Sequence, residues 1–168
     1  GVGNTPWTVL AEGIALMTDR TIGQATFFVS VAVLLLWIPL REKPGIGTIL
    51  NAILIAVAIE HMLPILPTPE GGFESLLQVI GGIALVGIGS GIYLTANLGP
   101  GPRDGWMTGM HRVSGYPIGN VRAAIEITVV VIGWSLGGTV GIGTVIFAVM
   151  IGPTVAVCLN IVGVIGRQ

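Results

Sequence analysis

The sequence predicts an all-α polytopic membrane protein: an inverted repeat of three transmembrane helices plus one short helix per copy, with the first helix of the first repeat absent from this chain. Three observations carry that prediction. Hydrophobic residues make up 52% of the chain and charged residues 9%, against about 25% charged in soluble domains, and the mean hydropathy is +0.92. Five apolar runs approach the roughly 20 residues needed to cross about 30 Å of hydrocarbon. The chain also matches itself when displaced by 96 positions, which places Gly3 on Gly99.

The elements follow in order. Residues 6–18 read as a short helix, opened by "GNTPW", in which Asn4 or Thr5 can cap and Pro6 can occupy the first turn. The first apolar run covers 23–40 and stops at Arg41 and Lys43, and the second covers 46–66 and stops in "PILPTPEGG". Residues 76–97 form the third run and enter the polar, helix-breaking "GPGPRDGWMTGMHR". Within it, 102–114 read as a second short helix, with Pro102 at its first position and Asp104 at the positive end of its dipole. Runs 119–137 and 142–166 complete the set. All five runs are expected to be helical, because a lone apolar segment in lipid must satisfy its backbone internally. Asp19 and Arg20 ahead of Gly23, and Gly115 with Pro117, are the stop signals of the short helices.

Displacement by 96 also superposes Pro6 on Pro102, Gly13 on Gly109, Ile22-Gly23 on Ile118-Gly119, and Gly45-Ile46-Gly47-Thr48 on Gly141-Ile142-Gly143-Thr144. Gaplessly matched glycines and prolines mark a duplication. Residues 1–70 form the first copy and 75–166 the second, within one integral membrane domain. The counterpart of 76–97 would lie before Gly1, giving six spans in all. Three spans per copy insert the copies in opposite orientations. The basic turn 41–45, the loop carrying Arg103 and Arg112, and the tail at Arg167 are expected in the cytoplasm by the positive-inside rule, which makes the C-terminus cytoplasmic. The acidic turn 67–74, with Glu70 and Glu74, then faces outward. Arg20 falls on the outer side, against the rule. The start of the chain lacks the pattern of a signal peptide.

The short helices admit two readings. As re-entrant half-helices they dip from opposite faces, and their N-termini and glycines meet near the midplane to offer N–H groups to a solute. As interfacial connectors they lie flat, with Trp7, Leu10, Ile14 and Trp106, Met110, Val113 against lipid or the bundle. The first reading makes Gly3, Asn4, Thr5, Gly99, Gly101, Arg103 and Asp104 candidate solute-binding residues. Arg122 and Glu126 join them, four apart on one helical face and deep in a span, either as a mutual ion pair or with Glu126 as a coupling carboxylate. Glu60 and His61 either reach the outer interface or relay protons. Asn51, Gln78, Asn97, Asn120, Cys158 and Asn160 suit interhelical bonding or packing, as do the small-residue spacings Gly87–Gly91 and 133–137.

Other classes lack support. Net charge of −1 argues against nucleic-acid binding, and a single cysteine forms neither an internal disulfide nor a zinc cluster, so no metal or cofactor is expected. The glycine clusters lack the βαβ context of a nucleotide site, and no nucleophile, base and orienting group fall at a known spacing, so no catalytic residue and no enzyme activity are expected.

"GVGNTPWTVLAEGIA", "REKPGIGTILNAILI", "GIGSGIYLTANLGPGPRDGWMTGM" and "RAAIEITVVVIGWSLGGTVGIGTVIFA" together resemble the YczE/YitT-like family of bacterial integral membrane proteins over nearly the whole chain. The resemblance implies a multi-pass protein of the bacterial cytoplasmic (inner) membrane with one further N-terminal helix, in a largely uncharacterised family often labelled as transporters or permeases. It assigns no residue a role. From the paired broken segments, the leading function is a transporter or channel-like permease for a small polar or anionic solute, with its site between the two Gly-Pro loops. The alternative is a non-transporting accessory or assembly subunit. Expected partners are the lipid bilayer, a small solute, and another copy of the chain or a membrane-complex subunit.

Overall fold

A computed structural model of the chain describes residues 2–67 and 72–165, among which there are seven helices and no strand. They are α1 (Pro6–Thr18), α2 (Ile22–Leu40), α3 (Ile46–Met62), α4 (Gly72–Thr95), α5 (Pro102–Ser114), α6 (Ile118–Ser135) and α7 (Ile142–Ile165). Glu70 and Arg167, two of the charges used to orient the chain, lie outside the described residues, as does the side chain of Asn160. Both short helices have the predicted limits. Thr5 caps α1 by accepting from Thr8 N–H, and Pro102 opens α5. Asp19 and Gly115 end them in the left-handed conformation at φ 51 and 71.

Several ends differ from expectation; the run 119–137, for one, is helical over Ile118–Ser135, which leaves Gly137 a left-handed turn residue at φ 97 and not a helical packing position. The run 46–66 leaves the helix after Met62, because Pro64 has no N–H to continue the ladder, and Ile65 and Leu66 turn back onto the Met62 carbonyl at 3.0 Å. The helix expected from 76 begins at Gly72, where Glu74 suits the first turn, and it ends at Thr95. Asn97 is therefore a left-handed turn residue, φ 54, and no longer a helical packing position. Helices α2, α4 and α6 are long and apolar enough to cross a membrane; α3 and the described apolar part of α7, Ile142–Val155, are shorter.

Packing is built on glycine. α1 lies on α6 and α5 lies on α2, while α4 pairs with α7. Trp7, Val29, Val33, Trp37, Val121, Ile125 and Val129, from α1, α2 and α6, form the main core. Gly87 and Gly91 of α4 admit Thr154 and Cys158 of α7, as the small-residue spacing predicts. Outside this interior, leucines and isoleucines such as Ile38, Leu54 and Leu85 point outward, the surface a lipid solvent requires.

The contacts recur at positions 96 apart, with the halves exchanged. Gly109 receives Leu40, and Gly13 receives Leu136. Gly47 N–H donates to the Leu98 carbonyl at 2.9 Å, and Gly143 N–H donates to the Val2 carbonyl at 2.6 Å. The Gly45 N–H is held by Thr48 Oγ1 at 3.1 Å, and the Gly141 N–H by Thr144 Oγ1 at 3.2 Å.

Candidate functional site

The two Gly-Pro loops are seated on different helices. Gly99, at φ 108, lies against Gly45 and Thr48 at the start of α3, where Thr48 Oγ1 also donates to the Pro100 carbonyl at 2.7 Å. Trp37 Nε1 donates to the Pro102 carbonyl at 2.9 Å, which fixes the entry to α5 from the side of α2. Gly3, at φ 90, lies against Gly141 and Thr144 at the start of α7, and Asn4 N–H donates to the Thr139 carbonyl at 3.2 Å. Asn4 Nδ2 donates to Glu12 Oε2 at 2.9 Å. Glu12 in turn accepts from Thr139 N–H at 2.6 Å and from Thr139 Oγ1 at 2.9 Å. Side chains and neighbouring carbonyls thus satisfy these broken backbones, as polar groups removed from water must be.

What meets across the two halves is the first turn of each short helix. The Arg103 guanidinium stands 4.8 Å from the centre of the Trp7 ring, a cation–π contact, and Trp7 meets Trp106 edge-on at 6.3 Å. Residues 7 and 103 are 96 apart, so two equivalent positions touch one another.

Beside this contact is a cavity of about 160 Å³, to which α1, α3, α4, α5, α6 and α7 all contribute. It gathers Arg103, Asp104, Arg122 and Glu126, together with Tyr93 and Asn51. Ile125, Met107, Phe147, Ile151 and Val155 make its apolar wall. Asp104 accepts from the Tyr93 hydroxyl, which itself accepts from Gly101 N–H at 3.3 Å, so the N-terminus of α5 already carries its own anion. Arg122 Nε lies 3.6 Å from Glu126 Oε1, an ion pair too long for a hydrogen bond. Glu126 Oε2 is buried without a partner among the described residues.

Of the nine candidates, Gly101, Arg103, Asp104, Arg122 and Glu126 line the cavity. Gly3, Asn4, Thr5 and Gly99 do not: they shape the loops. The expectation that the glycines themselves meet is corrected accordingly, because each loop is bound by the last helix of the other half and only the helical turns behind them converge. Glu60 accepts from Thr21 Oγ1 and packs on Gly23, away from this cavity. Sequence reading missed Tyr93 and Glu12, although a lone tyrosine at the end of an apolar run and a carboxylate in a nearly uncharged short helix were signals for both. Asn51, read as a packing residue, faces the cavity.

The chain is similar in sequence to other proteins over nearly its whole length. A Haemophilus influenzae relative named "Uncharacterized protein" is 46% identical over 162 residues, covering 96% of this chain and 74% of its own length. A Bacillus subtilis relative named "Uncharacterized membrane protein YczE" is 31% identical over 152 residues, covering 90% of this chain and 71% of its own length. No solved structure matches. The resemblance read from the sequence motifs is therefore supported by direct similarity. A family model described as "Family of unknown function (DUF6198)" matches residues 1–160, and the chain belongs to that family, as a membrane protein.

Proposed function

We propose that the protein transports or facilitates permeation of a small polar or anionic solute, and that it is no enzyme. The solute site is the cavity of Arg103, Asp104, Arg122 and Glu126. The observation that carries this reading is the cavity itself: four charged side chains line one interior space of a chain with only 9% charged residues. Ionisable groups inside a membrane bundle are expensive, and they mark solute or ion pathways. The volume of about 160 Å³ suits a small solute, being below the roughly 300–1,000 Å³ of drug-sized pockets.

The reading includes an inverted repeat. The exchanged contacts at positions 96 apart support opposed halves with a two-fold relation whose axis passes between Trp7 and Arg103. In that arrangement α1 and α5 are re-entrant, each bringing its first turn inward. The basic turn 41–45 lies with the C-terminus in the cytoplasm of a bacterial inner membrane.

The test is flux in proteoliposomes with Glu126→Gln and Arg103→Ala. Solute entry in the parent protein, lost or strongly reduced in both variants, is the expected result. Absence of flux for every small solute tried, with stable copurification of another membrane protein, would replace this reading with an accessory subunit.

A further inference from the structure

The cavity's hydrogen-bonding account is one-sided. Arg103 and Arg122 bring five N–H donors each. Among the described residues neither makes a hydrogen bond: Arg103 has only the Trp7 ring, and Arg122 has only the 3.6 Å approach to Glu126. Both line the cavity. Asp104, by contrast, is already engaged by Tyr93. Among the described residues the charged groups with open valences are therefore the two guanidinium groups and the Glu126 carboxylate, whose Oε2 is buried without a partner, while Asn51 and Ser90 add uncharged donors and acceptors to the lining.

The charges add a constraint. Arg103 and Arg122 balance Asp104 and Glu126, so the site is neutral as it stands. A buried site that gains one uncompensated charge is penalised in low dielectric. An anion entering alone would leave it at −1; an anion accompanied by one proton leaves it neutral. The groups facing Glu126 narrow the position for that proton. Arg122 lies on its own helix, Arg103 and Asp104 come from α5, and Tyr93 comes from α4. From α1 comes Trp7, from α3 Asn51 and Ile55, and from α7 Phe147, Ile151 and Val155, none of which titrates. Glu12 of α1 is held by Asn4 and Thr139. Among the described residues, Glu126 is the carboxylate with a buried oxygen that has no partner.

We infer that the cavity binds a small monocarboxylate together with one proton: the carboxylate pairs with the guanidinium donors of Arg103 and Arg122, the proton resides on Glu126, and the aliphatic part lies on Ile151 and Val155. This rests on the solute-binding reading of the same cavity and names the class of solute. No covalent bond of the solute is made or broken; the proton passes from hydronium in the solution on the side of entry to a Glu126 carboxylate oxygen, forming its O–H and leaving water, and is returned to solution when the solute leaves. The apolar wall gives an aliphatic acid more contact than an inorganic anion of the same charge.

The experiment uses the full chain in detergent micelles, titrated calorimetrically with butyrate, butyramide and butylamine in two buffers of different ionisation enthalpy. Saturable binding of butyrate alone is expected, with uptake of about one proton per butyrate and an affinity that falls as pH rises. Glu126→Gln should bind butyrate with no proton uptake and no pH dependence. Arg103→Gln and Arg122→Gln should each weaken binding by about tenfold or more, as expected for loss of a charged hydrogen bond. If either arginine variant fails to fold, the proton count of Glu126→Gln still decides. Butylamine binding in place of butyrate, no discrimination between butyrate and butyramide, or unchanged proton uptake in Glu126→Gln overturns the inference. Proteoliposome flux of a neutral solute with no carboxylate binding would sink it while leaving the transport reading intact.

Discussion

Gly133→Ala is expected to open the contact between the two halves. A Cβ at Gly133 would stand 2.5 Å from Leu10 N and 2.6 Å from both Leu10 Cα and Val9 C, where ordinary contacts begin near 3.4 Å. The obstructing atoms are backbone, so no rotamer change relieves the clash, and α1 must retreat by 3.4 − 2.5 = 0.9 Å. That retreat strains the bonds tying α1 to the loop after α6: Asn4 N–H to Thr139 at 3.2 Å, and Thr139 to Glu12 at 2.6 and 2.9 Å. Overpacking costs about 1–3 kcal/mol, weakening of a charge-assisted bond adds about 1.5–3, and the helix-propensity gain of alanine returns about 1. The net loss is about 1.5–5 kcal/mol, a Tm lower by about 3–20 °C for a chain of this size. Thermal unfolding of detergent-solubilised protein reads it. Gly89→Ala is the internal control, because a Cβ there meets nothing within 4 Å and α4 should gain up to about 1 kcal/mol. Equal Tm for Gly133→Ala and the parent protein would refute the close backbone contact of α1 and α6.

Three further outcomes follow from the same geometry. Glu12→Ala removes an acceptor of three hydrogen bonds and should destabilise by about 2–4 kcal/mol by thermal unfolding, since charged acceptors contribute about 1.5–3 each with incomplete additivity. Thr48→Val removes a hydroxyl that joins Gly45 to Pro100, and should cost about 1–3 kcal/mol and loosen the α5 entry, read as faster amide exchange at Gly45. Arg112→Ala should cost about 1–2 kcal/mol in the same unfolding assay, because its ion pair with Glu42 at 2.9 Å belongs to a side chain 56% exposed and adds little, while its donation to the Leu40 carbonyl is part-buried.

Much of the chain's local structure was legible one residue at a time. Thr5-Pro6 and Gly101-Pro102 open helices because a capping oxygen and a fixed φ act within one turn, and Gly115 closes one because a left-handed φ suits glycine. Small residues four apart announced the α4–α7 contact for a similarly local reason. Half of the candidate site was legible too, since Arg103, Asp104, Arg122 and Glu126 stand out against an apolar background. Asn51 and Trp7 were not, because their types are common in packed helices and only convergence gives them meaning.

The amino-acid order alone determined the helical solvent-in-lipid class, the helix ends set by proline and glycine, and the repetition at 96 positions. These are consequences of backbone chemistry and composition, which act over a few residues or over the whole chain at once. Tertiary structure decided which segments fill which grooves: that Gly3 goes to α7 and Gly99 to α3, that Trp7 meets Arg103, and that one buried oxygen of Glu126 has no partner among the described residues. Those outcomes depend on fractions of an ångström between residues as far apart as Glu12 and Thr139, a kind of information that spacing along the chain does not contain.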